Sequence, residues 1–188
     1  MVDFALNGPF GEIECVVNGC SDKSAPILII AHGFRGSREG GGRAAYLAER
    51  LENLCHVVRF NFNGSQLLSR QVAEIKAVVR KVRKMYPENK IFLMGRSMGG
   101  AAALIAAAQD KKIVGLILWA TPNNLRQTFR TALGEEQYDL LDSGISLQLV
   151  DGRGKITLNP EFLTDTDKYD LNALLAEWKE RKTDFIPA

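Results

Sequence analysis

The 188-residue sequence predicts an α/β protein with a mainly parallel sheet and helices on both faces. Three observations lead to this prediction. Apolar segments of strand length alternate with segments of helical periodicity through residues 27–120. The apolar runs ILIIA, IFLM and IVGLILWA are continuous, as is typical of parallel strands covered on both faces. The length and the 46% apolar content suit one globular domain with a substantial core.

Periodicity and turn residues divide the first 122 residues into a hairpin followed by alternating strands and helices. The hairpin turns at Pro9–Gly11, and the long helix places Val72, Ile75, Val79 and Val82 on one face. The predicted elements are a hairpin over 2–19, strands over 26–33, 56–64, 91–94 and 112–122, and helices over 43–54, 67–86 and 101–108.

The alternation of strands and helices ends at Asn123. The sequence then predicts a helix over 125–141, a hairpin over 145–159 and a last helix from Asp170. We expect an organisation in three parts. Residues 1–122 form the core, residues 123–179 form a small cap inserted after the strand at 113–120, and residues 180–188 begin a further core strand.

One serine lies where a buried strand meets an alanine-rich helix, in the segment Gly95-Arg96-Ser97-Met98-Gly99. Glycines at 95, 99 and 100 remove the side chains that would clash if the chain reversed sharply. A Gly-x-Ser-x-Gly motif in this context is the nucleophile elbow, which exposes a serine hydroxyl at the top of a sheet. The motif predicts that Ser97 is a nucleophile.

A second motif, His32-Gly33-Phe34, follows the apolar run ILIIA at 27–31. Ligands of open parallel sheets bind beyond the carboxyl ends of the strands, where both motifs are expected. Together the two motifs resemble those of the α/β-hydrolase family, and in particular its small bacterial esterases of the cinnamoyl-esterase type. The resemblance covers nearly the whole chain.

The resemblance implies hydrolysis of a small carboxylic ester or thioester, with no metal and no cofactor. Ser97 would attack the acyl carbon, and the backbone N–H groups of Phe34 and Met98 would form the oxyanion hole. Arg96 is expected to pack against neighbouring strands or loops rather than against the substrate. The residues expected to support the two motifs are His32, Gly33, Gly95 and Gly99. Phe34, Phe129, Tyr138 and Phe162 are candidates for pocket lining or for simple core.

The sequence departs from the family in its acid and base. Both histidines, His32 and His56, precede Ser97, whereas the family places its histidine after the nucleophile. Asp184 precedes the position of the family's acid, and solvated loops and helix caps account for the aspartates of the cap. Those aspartates are Asp139, Asp142, Asp151, Asp165, Asp167 and Asp170.

We therefore expect the chain to stop before the last two strands of the family pattern, and to be nearly inactive alone. Three explanations stay open. The chain is a shortened form of a complete hydrolase, a non-catalytic binding relative, or one part of a site that a second chain completes. In each case the strand at 113–120 becomes a sheet edge, through which two copies can pair as a homodimer.

Composition and charge indicate which partners and which cell compartment to expect. A net charge of +2 argues against a dedicated nucleic-acid surface, and the basic run at 80–84 fits a solvated helix end. We expect no membrane partner, because no apolar run approaches the length of a bilayer span. No signal peptide is visible, and three cysteines without metal spacing suggest reduced thiols in a cytoplasmic protein.

Overall fold

A six-stranded sheet forms the centre of the computed structural model, which describes residues 1–63 and 66–183. The strand order is β1-β2-β4-β3-β5-β6, with antiparallel pairing from β1 to β4 and parallel pairing from β4 to β6. The predicted α/β class is confirmed. The strands are β1 (Val2–Gly8), β2 (Gly11–Asn18), β3 (Ile27–Ala31), β4 (His56–Phe60), β5 (Ile91–Arg96) and β6 (Ile113–Trp119).

Helices cover both faces of this sheet, as predicted. The helix α1 packs with the apolar side chains of one face, and α2 and α3 pack on the other. A separate hairpin of β7 (Leu147–Asp151) and β8 (Gly154–Leu158) lies in the later part of the chain. The helices are α1 (Arg43–Arg50), α2 (Leu68–Met85), α3 (Met98–Ala108), α4 (Leu125–Leu133), α5 (Glu135–Asp142), α6 (Glu161–Thr166) and α7 (Leu171–Thr183). None of the described helices combines the length and the apolar character that a bilayer crossing requires.

The helix α3 lies at the centre of the core. All its residues except Ala108 are buried, because alanine and glycine side chains let the sheet, α2 and α7 approach its backbone closely. The guanidinium of Arg181 on α7 donates to the carbonyls of Ala107 and Ala108 at 2.9 Å each. A cation at this end satisfies carbonyls that the helix leaves unpaired and matches the helix dipole.

The strand register fixes where the two motifs meet. In the parallel pair of β3 and β5, Ala31 lies opposite Gly95. In the next pair, Arg96 lies opposite Trp119. The carboxyl ends of three adjacent strands therefore finish at one level, and the loops that follow them meet at the same edge of the sheet.

The expectation that the strand at 113–120 lies at a sheet edge is confirmed, whereas the expectation that both its faces are covered is wrong. In the described part of the chain β6 has a strand neighbour on one side only. Val114, Ile117 and Trp119 are 37%, 46% and 43% exposed. Continuous apolar sequence therefore marks this strand correctly but does not reveal that its side chains are partly exposed.

The region after Asn123 also differs in detail from the prediction. Gly134, with φ of +85°, divides the expected helix over 125–141 into α4 and α5. The helix α6 was not predicted, and α1 ends at Arg50 rather than at residue 54. Residues 180–183 continue α7 instead of beginning a strand, and residues 184–188 lie outside the described part of the chain.

Candidate active site

Ser97 occupies the sharp corner between β5 and α3. Its backbone has φ of +52° and ψ of −128°, a combination that costs a residue with a side chain about 1–3 kcal/mol. Two hydrogen bonds hold the corner in place. The Ser97 N–H donates to the Trp119 carbonyl at 3.0 Å, and the Gly100 N–H donates to the Ser97 carbonyl at 2.8 Å. The surrounding fold therefore imposes the conformation that lifts the hydroxyl out of the sheet.

The motif glycines are positions of close backbone approach. A Cβ at Gly95 would lie 2.4 Å from the Gly100 Cα, and a Cβ at Gly99 would lie 2.1 Å from the His32 carbonyl oxygen. A Cβ at Gly33 would lie 3.1 Å from the Ser97 Cβ. The loop at 32–34 and the serine corner are thus in direct contact, and larger side chains would force them apart.

His32 braces this loop through both ring nitrogens. Its Nε2 accepts a hydrogen bond from the Phe62 N–H at 3.2 Å, so the proton of the neutral ring is on Nδ1. Nδ1 then donates to the Gly33 carbonyl at 2.9 Å. Burial lowers the pKa of His32 and favours the neutral ring. With both nitrogens engaged, His32 has no free position from which to take a proton from Ser97.

The two expected oxyanion donors lie on either side of the contact between loop and corner. Met98 is the first residue of α3, so its N–H has no acceptor within the helix. Phe34 follows Gly33, which lies against Ser97. No acidic side chain stands in the first turn of α3, so the positive end of its dipole faces the corner uncompensated. This arrangement favours an anion next to Ser97.

Arg35 connects the loop to the β7–β8 hairpin, a contact that the sequence did not predict. Its guanidinium donates to an Asp151 carboxylate oxygen at 3.0 Å and to the Gly154 carbonyl at 2.5 Å. The side chain is 4% exposed. Nothing in the sequence indicates this pairing, because the partners lie more than a hundred residues apart.

A cleft of about 760 Å³ opens beside Ser97. The loop after β3, the serine corner, Trp119 and one face of α4 line it. Of the four aromatic candidates, Phe34 and Phe129 line the cleft, with ring centroids 5.2 Å apart. Phe162 and Tyr138 are buried in the packing behind it, so the core interpretation holds for these two. A smaller hollow of about 460 Å³ between β1 and α2 contains no residue of the serine corner.

His56 begins β4, at the end of the sheet opposite Ser97, as expected from the sequence. Its Nδ1 accepts a hydrogen bond from the Cys20 N–H at 3.0 Å, and its ring lies 5.0 Å from that of Tyr86. These contacts give His56 a role in packing the end of β4. Neither histidine of the chain is placed to act as a base for Ser97.

Asp165 corrects one expectation from the sequence. It is fully buried rather than solvated, and its carboxylate accepts hydrogen bonds from the Ser69 N–H and hydroxyl at 2.7 Å each. The Lys168 ammonium lies 2.6 Å away. Asp165 therefore caps the first turn of α2 and fastens α6 to the core. The exposed Arg96 guanidinium lies 5.7 Å from the Trp119 ring of the neighbouring strand and lines the cleft, so Arg96 is not confined to the packing role expected from the sequence.

The remaining aspartates of the predicted cap have structural partners. Asp142 and Asp167 pair with Arg126 at 2.6 and 2.7 Å. Asp170 accepts hydrogen bonds from two N–H groups of the first turn of α7. Asp139 lies 3.1 Å from Arg130. Among the described residues, no group of His, Cys, Asp and Glu side chains is arranged to hold a metal ion.

Comparison with known proteins agrees with the class that the sheet and the serine corner define. Residues 62–154 match the family model described as serine aminopeptidase, S33. A search of curated protein sequences found no significant relative. The strand order and these matches show the α/β-hydrolase fold, and the family model covers just under half of the chain.

Solved structures share this fold. Est1E from Butyrivibrio proteoclasticus superposes with a TM-score of 0.76 at 20% identity, over 95% of this chain and 74% of its own. An α/β serine hydrolase homologue from Coxiella burnetii is 27% identical, over 64% of this chain and 63% of its own, with a TM-score of 0.58. The lidless serine hydrolase XC6422 from Xanthomonas campestris is 26% identical, over 65% and 62%, with the same TM-score. The chain thus spans less than two thirds of the length of the latter two proteins.

Proposed function

We propose that this chain carries the nucleophile and oxyanion hole of a serine hydrolase that acts on carboxylic esters or thioesters. One observation supports the proposal above all. The strained Ser97 corner touches the loop that carries Phe34 and opens directly onto a cleft of about 760 Å³. Est1E, with which the chain shares its fold, has been solved with ferulic acid bound, which is compatible with ester chemistry in this class.

In the proposed reaction, the Ser97 hydroxyl oxygen attacks the acyl carbon and an acyl-enzyme forms as the alcohol or thiol leaves. Negative charge develops on the former carbonyl oxygen. The Phe34 and Met98 N–H groups, together with the positive end of α3, stabilise that charge without having to reorganise. Loss of one such donor typically lowers kcat about 10²–10³-fold. Water then releases the acid and restores Ser97.

A serine hydroxyl needs a general base to attack efficiently. His32 has both nitrogens engaged, His56 lies at the far end of the sheet, and the sequence has no histidine after Ser97. We propose that the base and its carboxylate partner come from outside these 188 residues. In the serine protease subtilisin, loss of the base lowers kcat about 10⁶-fold. Little turnover is therefore expected from these residues alone.

The experiment combines intact mass with labelling by a fluorophosphonate, which reacts with activated serines. Ser97→Ala removes the proposed nucleophile, and Ser37→Ala removes another hydroxyl that lines the same cleft. A mass above 20.8 kDa with labelling lost only in Ser97→Ala would support the hydrolase. Labelling that survives in Ser97→Ala would refute it. A mass of 20.8 kDa without labelling would favour a non-catalytic binding module.

We also propose that the exposed edge of β6 pairs with another strand, from a second copy of this chain in the simplest case. The apolar side chains of Val114, Ile117 and Trp119 are more than a third exposed along it, and an open apolar edge favours strand pairing. Ile117→Lys should shift the protein toward monomer in sedimentation velocity. Unchanged association in that variant would exclude the edge as the interface.

We also propose that the protein is cytoplasmic, on the evidence of its cysteines. Cys15, Cys20 and Cys55 are all unpaired in the structure, which suits a reducing compartment. Thiol titration of freshly isolated protein before and after reduction tests this. Equal counts of free thiols would support the proposal, and a gain on reduction would contradict it.

A further inference from the structure

The cleft beside Ser97 is strongly basic. Five arginines are among the described residues that line it, and none of those residues is an aspartate or a glutamate. Fields from charges of one sign are concentrated in a cleft with low-dielectric walls, and such fields attract ligands of the opposite sign. The arginines are Arg35, Arg38, Arg43, Arg96 and Arg153.

Three of these arginines already have carboxylate partners. Arg35 and Arg153 share Asp151, at 2.9 and 2.8 Å, so two positive charges face one negative charge. Arg38 lies 3.3 Å from Asp3 and 3.4 Å from Glu39. These contacts hold the loop and the hairpin in place, and they account for three of the five charges structurally.

Arg43 and Arg96 differ from the other three. Neither has a carboxylate within ion-pair distance in the part of the chain that the structure describes. Arg43 is the first residue of α1, where a positive charge opposes the helix dipole, and no acidic residue in that turn compensates it. Helix stability therefore does not explain a cation at this position.

The surroundings of the two arginines suit a ligand that is partly apolar. Arg43 and Trp119 line both the main cleft and an adjoining cavity of about 410 Å³, which Tyr46 and Leu47 also line. The Arg96 guanidinium lies over the Trp119 ring. Two guanidinium groups and an aromatic ring thus share the mouth of the cleft that leads to Ser97.

We infer that the substrate carries a second, negatively charged group, and that Arg43 and Arg96 bind this group while the ester or thioester carbonyl lies at Ser97. Guanidinium groups match the geometry of carboxylate and phosphate through paired N–H donors. The ligand class is therefore a monoester or thioester whose acyl or alcohol part bears a carboxylate or a phosphate. This inference rests on the proposed function, because it assigns a substrate class to the same cleft.

Binding to the Ser97→Ala variant tests the inference without requiring turnover. Three phenyl esters of similar length serve as probes in calorimetry: monophenyl glutarate, phenyl phosphonobutanoate and neutral phenyl pentanoate. We expect at least one anionic ester to bind about tenfold or more tightly than the neutral ester. The stronger of the two anionic probes then distinguishes a carboxylate from a phosphate ligand.

Variants identify the residues responsible. Arg43→Gln combined with Arg96→Gln, both in the Ser97→Ala background, should remove the anionic preference and leave binding of the neutral ester unchanged. Arg50→Gln is the matched control, because Arg50 ends the same helix α1 and does not line the cleft. Thermal unfolding of each variant shows whether the fold is retained.

The outcomes separate this inference from the proposed function. Equal binding of charged and neutral esters overturns the inference and leaves the ester hydrolase in place. A preference that survives the double replacement also overturns it, because other groups would then hold the anion. Absence of binding by all three esters overturns both, because the cleft would not be an ester site.

Discussion

Replacement of Gly99 by alanine tests whether the contact between the serine corner and the loop at 32–34 builds the site. The new Cβ would lie 2.1 Å from the His32 carbonyl oxygen and 2.7 Å from its carbonyl carbon. Both are backbone atoms, so no side chain can turn away. Loop and helix must separate by more than about 1 Å to reach ordinary contact.

The cost follows from this overlap. Overpacking of a close backbone contact typically destabilises a protein by about 1–3 kcal/mol. In a domain of this size each kcal/mol lowers Tm by about 2–4 °C, so we expect a fall of about 2–12 °C. The same displacement moves the Phe34 N–H relative to the Met98 N–H. Misplacement by about 1 Å can cost 10²-fold in rate, so fluorophosphonate labelling of Ser97 should slow by about that factor.

Gly152→Ala is the matched control. Gly152 lies in the turn between β7 and β8, and a Cβ there meets nothing within 4 Å. Thermal unfolding and the rate of labelling are measured for both variants. We expect the control to remain within about 0.5 kcal/mol of the parent protein. If Gly99→Ala matches the control in both assays, the contact does not shape the site, contrary to this prediction.

Other predictions follow from buried groups. Asp165→Asn should destabilise the protein by about 1–3 kcal/mol at pH 7 in urea unfolding, because the bonds to Ser69 weaken inside the core; a loss near zero would contradict the capping role. Burial raises the pKa of the Asp165 carboxyl, but hydrogen bonds from the Lys168 ammonium and from Ser69 outweigh burial and lower it overall. The pKa of Asp165 is therefore lower in the folded protein than in the unfolded chain. The stabilisation by its ionised carboxylate is fully present above about pH 4, and it is lost as the pH falls through the folded-state pKa. The difference in unfolding free energy between parent and variant should therefore shrink in acid, and an undiminished difference would argue against the ionised carboxylate. Burial also raises the pKa of the Cys15 thiol to about 12. Iodoacetamide at pH 8 should therefore modify the half-buried Cys20 and Cys55 in native protein and reach Cys15 only after unfolding, as peptide mass spectrometry would show. Rapid modification of Cys15 in native protein would contradict its burial.

The sequence predicted the features that depend on neighbouring residues. The strands, the main helices and the serine corner each follow from local apolar periodicity and from the spacing of Gly95 and Gly99. The bracing role expected for His32 is supported by its two hydrogen bonds, and the motif itself placed that residue at the end of a strand.

Features that depend on distant residues could not be predicted in this way. The Arg35–Asp151 and Ser69–Asp165 contacts join residues about a hundred positions apart, and no local pattern marks them. The exposure of Ile117 was missed for a related reason. The edge position of this strand was expected from the sequence, but an apolar run does not show how far helices cover the faces of the strand.

The Arg35 contact has a consequence for recombining this protein with others of its class. Arg35 directly follows the proposed oxyanion residue Phe34, and its guanidinium is fastened to the turn of the β7–β8 hairpin. A chimera that exchanges the hairpin without Asp151 would leave a 4% exposed cation without its carboxylate, next to the loop at 32–34. The β7–β8 hairpin and the loop at 32–38 should therefore come from the same parent protein in any chimera. A crossover between them would separate two segments that the Arg35–Asp151 contact joins.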